Sequence, residues 1–150
     1  SSYRQLIDRI EKRKLRNVTA VNKGLWKVST KLPLKILQNA VSCRVSPLAH
    51  QTVASQETVQ IDCTTIDDLV AELDLQKIDL IKMDIEGAEI EALQGAQHTL
   101  SNLRPQLAIA SYHRRDGGQT YTEVEKIIAK YHYAIHTFFP PHLTTCGKPH

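Results

Sequence analysis

The chain has 150 residues, of which 41% are hydrophobic and 23% charged, with a formal net charge of +3. These values are ordinary for a globular domain, and the length is enough for one domain with its own core over residues 1–150. The three cysteines are widely separated and show no C-x-x-C spacing, which points away from a zinc site or a disulfide framework. No signal peptide and no membrane-length apolar run is visible, so we predict a cytoplasmic protein.

The first predicted element is a basic helix from Ser2 to Asn17. Its charged residues include Arg4, Arg9, Lys12, Arg13, Lys14 and Arg16. A basic helix can bind nucleic acid or an anionic membrane, but no aromatic residues alternate with these bases. We therefore interpret it as a solvated helix face and predict neither a nucleic-acid nor a membrane partner.

A short strand is predicted to end near Asn22, with a bend at Gly24. Residues 29–56 give no clear pattern, and the polar stretch 42–56 is interpreted as a surface loop. Residues 58–63 alternate as a strand. Thr65 then has Asp68 three residues later, which predicts a capped helix.

The central prediction concerns residues 78–103. Residues 78–83 form a nearly continuous apolar run, typical of a strand covered on both faces. Asp84, Glu86 and Gly87 follow as an acidic turn, in which the glycine permits a tight conformation. Helical apolar spacing then predicts one helix over residues 88–103. Ligands of open parallel sheets bind at the carboxyl ends of strands, which makes Asp84 and Glu86 candidate site residues.

The remaining elements repeat this alternation. A strand over residues 107–110 ends at His113, and Thr120 with Glu123 predicts a capping box for a helix. A strand over residues 133–139 follows, and residues 142–150 are interpreted as irregular. Strands alternating with helices predict an α/β fold with a mainly parallel sheet.

Three of these residues are candidates for catalysis. Asp84 can accept a hydrogen bond from a hydroxyl, stabilise a positive charge or take a proton. His113 would lie beside Asp84 on a neighbouring strand and can act as a general base. Lys82 is catalytic, or it pairs with a carboxylate, or it extends to solvent at the sheet edge. Glu89 and Glu91 are interpreted as first-turn acids that favour the helix dipole.

No histidine or cysteine spacing predicts a metal site. His132, His136, His142 and His150 lack the spacing of metal ligands.

The stretch D-L-I-K-M-D-I-E-G-A-E-I-E-A-L-Q-G-A, residues 79–96, resembles the signature of the FkbM-type methyltransferases. T-I-D-D-L at residues 65–69 and R-P-Q-L-A-I-A-S-Y-H at residues 104–113 resemble its flanking motifs. The resemblance implies a Rossmann-like fold and S-adenosylmethionine as cofactor, with a small-molecule or saccharide hydroxyl as methyl acceptor. Asp84 and Glu86, at the end of their strand, are the candidate contacts to this cofactor. Asn22, at the end of the early predicted strand, is a third candidate that would approach the adenine, or it is an ordinary turn residue, which is the favoured interpretation.

The chain departs from the family pattern at the cofactor motif. It has six glycines and no G-x-G-x-G, so the main cofactor-binding motif is missing from this sequence. Against the family pattern, the first strand-helix-strand unit and the ribose-binding acid are also missing. We therefore expect a partial domain with impaired cofactor binding.

Two alternatives to an enzyme stay open. One is a non-catalytic interaction module that forms a homo-oligomer, or binds another partner, through an exposed sheet edge. The other is an α/β nucleotide-binding protein of different chemistry, which the acidic turn fits less well.

Overall fold

A computed structural model describes residues 2–35, 44–45, 58–115, 117–139 and 143–150. The helices are α1 (Ser2–Lys12), α2 (Ile66–Glu72), α3 (Glu89–Gln94), a π-helical segment (Thr99–Leu103) and α4 (Tyr121–Ala129). The strands are β1 (Gly24–Leu25), β2 (Thr30–Lys35), β3 (Arg44–Val45), β4 (Thr58–Thr64), β5 (Leu80–Met83), β6 (Gln106–Ala110), β7 (Arg114–Arg115), β8 (Gly118–Gln119), β9 (Tyr133–Phe138) and β10 (Thr144–Pro149). Within these ranges, no helix has the length and apolar character needed to cross a membrane. Apart from β3, the loop predicted over residues 42–56 lies outside the described residues.

The strands form two four-stranded sheets and a small hairpin. The sheet orders are β1-β4-β2-β3 and β5-β6-β10-β9, and β7 pairs with β8. The β1–β4 and β5–β6 pairs are parallel, whereas the other pairs between the described strands are antiparallel. The α/β class is confirmed, but the mainly parallel sheet is not, because β2 runs against β4 and the β9–β10 hairpin adds antiparallel pairs to the second sheet.

Strand β10 corrects the prediction that the C-terminal residues are irregular. It lies between β6 and β9 and pairs with both. Its sequence is polar, yet Thr145 is fully buried, and its hydroxyl lies 2.9 Å from those of Ser111 and Thr137. Hydrogen bonds among hydroxyl groups therefore replace the apolar alternation from which a strand is usually recognised.

The N-terminal part also differs from its prediction. Helix α1 ends at Lys12 rather than at Asn17, and no strand forms over residues 18–22. Val18 is exposed, so burial of its side chain contributes little to stabilising a strand there. Thr120 does not form the predicted capping box, because its backbone is already helical and its side chain makes no capping bond.

The predicted helix over residues 88–103 is divided at Gly95. Helix α3 ends at Gln94, and the π-helical segment begins at Thr99. Gly95 lies against the segment that follows β1, and a Cβ atom placed on it would be 2.5 Å from the Trp26 carbonyl oxygen. The backbones therefore approach more closely than any side chain at this position would allow.

The T-I-D-D-L motif fixes α2 to this region. Thr65 caps α2 by accepting a hydrogen bond from the Asp68 backbone N–H at 2.8 Å. The Asp67 carboxylate accepts bonds from the N–H groups of His98 and Thr99 and from the Thr99 hydroxyl, at 2.7 to 2.9 Å. The motif therefore stabilises the packing of α2 against the π-helical segment.

The main core lies between the second sheet and the helices. It comprises Ile66, Val70, Met83, Ala92, Leu93, Ala96, Leu100, Leu107, Ile109, Val124, Ile127, Ile128 and Tyr133. Strand β5 is less covered than its apolar sequence predicted, since Met83 is buried but Leu80 is 56% exposed. Among the described strands β5 pairs with β6 alone, which leaves its other edge unpaired. The carboxyl ends of β5 and β6 lie side by side and carry the candidate site.

Candidate functional site

The acidic turn after β5 has an unusual backbone. Glu86 has φ +61° and Gly87 has φ +97°, so two consecutive residues adopt left-handed conformations. Glycine does so freely, whereas for glutamate this conformation costs about 1 to 2 kcal/mol. Strain of this kind persists where the surrounding structure fixes it, and functional sites are common places for it. The turn directs Asp84 and Glu86 toward the end of β6.

His113 lies at the centre of the site. Strands β5 and β6 are parallel, with Met83 opposite Ile109, so the residues that follow them meet at one sheet edge. The His113 Nε2 atom is 3.3 Å from Asp84 Oδ1 and 3.4 Å from Glu89 Oε1. Its Nδ1 atom is 3.8 Å from Glu86 Oε2. The structure thus places His113 beside Asp84, as the neighbouring strands predicted, and it surrounds the ring with three carboxylates.

Glu89 is the residue of the site that sequence reasoning missed. Its side chain is fully buried, whereas the sequence interpretation gave it only a favourable place in the first turn of α3. Oε1 accepts a hydrogen bond from the Ile85 N–H at 2.7 Å, and Oε2 receives none from the described residues. A signal was present, because Glu89 shares a helical stripe with Leu93, Ala96 and Leu100. Glu91 is also buried, but it pairs with Arg115 at 2.7 Å.

Asp84 is the most accessible of the groups around His113. Burial raises the pKa of its carboxyl group, but the hydrogen bond from the Tyr112 hydroxyl, the Lys82 charge and the contact with His113 together outweigh burial and leave the pKa below its ordinary value. The Tyr112 bond is 3.1 Å long, and burial and the same carboxylate raise the pKa of Tyr112. Asp84 is therefore an ionised hydrogen-bond acceptor at neutral pH.

Lys82 and Asn22 lie outside the cluster of carboxylates around His113. The Lys82 ammonium lies 3.7 Å from Asp84 Oδ2 and is largely exposed, so Lys82 both pairs with a carboxylate and extends to solvent, two possibilities that the sequence had left as alternatives. Asn22 is exposed and lies in another groove, between α1 and β4, which Tyr3, Lys23 and Val59 also line. The structure thus brings together Asp84, Glu86, Glu89 and His113, with Lys82 at the rim.

The fold and the site define an α/β domain whose acidic groups gather at the carboxyl ends of two adjacent parallel strands. The family model of the FkbM methyltransferase domain matches residues 4–135. Because this match covers most of the chain, the chain belongs to the FkbM methyltransferase family. A comparison with curated proteins found no match.

A solved structure is similar enough to this chain for the folds to be compared. It is the crystal structure of methyltransferase FkbM from Methylobacillus flagellatus KT, with a TM-score of 0.65 and 22% sequence identity. The alignment covers 96% of this chain and 33% of that chain, so this chain spans about a third of the length of that protein. At this identity the similarity shows a common fold.

Proposed function

We propose that this domain takes part in S-adenosylmethionine-dependent methylation of a hydroxyl group. The observation that carries the proposal is the cluster at the ends of β5 and β6, in a chain of the FkbM family. Asp84 and Glu86 are partly exposed carboxylates, and a carboxylate suits the positive charges of the methyl donor. When bound, S-adenosylmethionine supplies an electrophilic methyl group on a positively charged sulfur.

In the proposed reaction the acceptor oxygen attacks the methyl carbon while the carbon–sulfur bond breaks. The products are a methyl ether and S-adenosylhomocysteine, and the hydroxyl proton leaves to solvent. Asp84 holds the acceptor by accepting a hydrogen bond from its hydroxyl, and Lys82 at the rim limits the negative charge there. The chain thus contributes positioning and electrostatic stabilisation.

His113 has a different role in this proposal from the general base that the sequence suggested. Its side chain is almost fully buried, and Nε2 faces two carboxylate oxygens rather than solvent. A base must reach the proton that it removes. We therefore propose His113 as a positioning residue that orients Asp84.

We propose a small-molecule or saccharide hydroxyl as the acceptor. Carboxylates accept hydrogen bonds from sugar hydroxyls, and Asp84 and Glu86 are open enough to do so. The same charges repel phosphate groups, which disfavours a nucleic-acid acceptor.

Titration calorimetry tests methyl-donor binding. For the protein expressed from its complete reading frame, we expect S-adenosylmethionine to bind with a dissociation constant in the range of about 1 to 100 μM. Absence of heat exchange at millimolar S-adenosylmethionine would contradict the proposal.

A second candidate, a non-catalytic module that self-associates, is favoured by one observation. Leu80 is exposed on β5, whose outer edge is unpaired among the described strands. Such an edge can pair with a second copy. Light scattering should then show a dimer, and Leu80→Lys should dissociate it. The control Leu75→Lys changes another exposed leucine, which lies outside the strands, and should leave the dimer intact. A monomeric parent would contradict this candidate.

A further inference from the structure

The carboxylates of Asp84 and Glu89 face a single ring nitrogen. His113 Nε2 lies 3.3 Å from one carboxylate oxygen and 3.4 Å from the other. A neutral imidazole carries one N–H, so Nε2 can donate a proton to one of these oxygens and leaves the other without it. A hydrogen bond from the ring therefore accounts for the approach of one carboxylate and not of the other.

Glu89 gives an independent reason to look for a missing partner. Its carboxylate is fully buried, and Oε2 receives no hydrogen bond from the described residues. Within this part of the chain, the basic group within 4 Å of Glu89 is His113, which Asp84 shares. A buried carboxylate without a compensating positive charge is strongly unfavourable. A bound cation would supply that charge.

The distances fit a metal ion. One donor atom from each of Asp84, Glu89 and His113 lies within 4.8 Å of the other two. Donors that bind one ion at about 2.0 to 2.2 Å are separated by about 3.0 to 3.5 Å in octahedral or tetrahedral geometry. The two distances from Nε2 fall in that interval, and the two carboxylate oxygens lie within 4.8 Å of each other, so a modest movement of the carboxylates would bring all three donors onto one ion.

The surroundings also resemble those of a metal site. The Ile85 N–H orients Glu89, and the Tyr112 hydroxyl orients Asp84. Glu86 lies on the Nδ1 side of the His113 ring, where carboxylates commonly accept the second N–H of a ligating histidine. Asp84 is 37% exposed, so further coordination positions would face solvent or substrate.

We propose that Asp84, Glu89 and His113 bind one divalent transition-metal ion, through two carboxylate oxygens and one imidazole nitrogen. The imidazole favours Mn²⁺, Fe²⁺ or Zn²⁺ over Mg²⁺ and Ca²⁺, which prefer oxygen donors alone. Resting on the proposed function, the open positions would bind the acceptor hydroxyl. The ion would lower the pKa of that hydroxyl, so that its proton leaves to solvent before the oxygen attacks the methyl group.

Calorimetry with metal ions tests this site without any methyl donor or acceptor. The protein is treated with chelator, desalted and titrated with MnCl₂, ZnCl₂ or MgCl₂. We expect one Mn²⁺ or Zn²⁺ per chain in the micromolar range and at least about 10-fold weaker Mg²⁺ binding. Asp84→Asn should weaken Mn²⁺ binding by about 10-fold or more, and Glu89→Gln should do the same.

Two controls keep the result interpretable. Asp79→Asn changes an exposed aspartate just before β5, the strand that Asp84 follows. This variant should bind Mn²⁺ like the parent. Circular dichroism shows whether Glu89→Gln still folds. If Glu89→Gln is unfolded, Mn²⁺ binding by Asp84→Asn still tests the site, because Asp84 is partly exposed. Lack of Mn²⁺ and Zn²⁺ binding at millimolar concentration, or equal affinity in Asp84→Asn and the parent, would overturn the proposal. Ion binding without methyl-donor binding would instead overturn the proposed function and leave the metal site intact.

Discussion

Asp84→Asn is expected to slow methyl transfer by about 100-fold or more. Asparagine preserves the shape of the side chain and can still accept the Tyr112 hydrogen bond. It removes the negative charge that, in the proposed reaction, holds the acceptor hydroxyl. The pKa of Asp84 lies below its ordinary value, so the carboxyl group is ionised at neutral pH. Since the side chain is 37% exposed, the free energy of unfolding should change by less than about 1 kcal/mol. Rates of S-adenosylhomocysteine release and urea denaturation measure the two effects.

Asp79→Asn is the matched control for this variant, because Asp79 is an exposed aspartate that pairs with Lys77. It should retain the parental rate. A parental rate in Asp84→Asn would remove Asp84 from the reaction. If Asp84→Asn lowered the free energy of unfolding enough to account for its lower rate, the role of Asp84 would be structural.

The largest effect on stability is expected from Gly95→Ala. The φ angle of Gly95 is −90°, outside the left-handed region that favours glycine, so the expected effect comes mainly from the close contact. The new Cβ would meet the Trp26 carbonyl oxygen at 2.5 Å and the Thr65 Cβ at 3.1 Å. Backbone atoms must move to relieve such overlap. We expect a loss of about 2 to 3 kcal/mol in the free energy of unfolding, measured by urea denaturation.

Gly118→Ala provides the comparison for this substitution. A Cβ at Gly118 would meet no atom within 4 Å, and the residue is exposed. This variant should unfold within about 0.5 kcal/mol of the parent. If both variants were equally stable, the contact between Gly95 and Trp26 would not be as close as described.

The central strand-turn-helix unit could be predicted because its signals are local. An apolar run predicted β5, and Gly87 with its acidic neighbours predicted the turn. The proximity of Asp84 and His113 followed from one further assumption, that their strands are adjacent and parallel, which the pairing of β5 with β6 confirms. Thr65 likewise caps α2 as its spacing to Asp68 predicted.

Other parts of the fold depend on contacts between distant segments. Strand β10 has no apolar alternation, and its pairing with β6 and β9 and its buried hydroxyl groups define it. Gly95 divides a continuous helical pattern because the segment after β1 packs against it. Neither contact is visible in the sequence of the segment concerned.

The site was only partly predictable for a similar reason. Glu89 appears in sequence as an ordinary acid near a helix N-terminus, and its burial against His113 depends on a contact between segments distant in the chain. The donors of the proposed metal site are Asp84, Glu89 and His113, and the histidine lies 24 residues after Glu89, so no short spacing motif reveals them. Asn22 was a candidate cofactor contact because it ends the early predicted strand, but the structure locates it in the groove between α1 and β4.

Methyl transfer itself is the most direct test of the function proposed for this FkbM family domain. The protein expressed from its complete reading frame is incubated with S-adenosylmethionine bearing a labelled methyl group and with a panel of saccharides and small hydroxyl compounds. We predict that label enters at least one acceptor as a methyl ether and that an equal amount of S-adenosylhomocysteine forms. Binding of S-adenosylmethionine without label transfer to any acceptor, or transfer at equal rates by the parent and Asp84→Asn, would contradict the account.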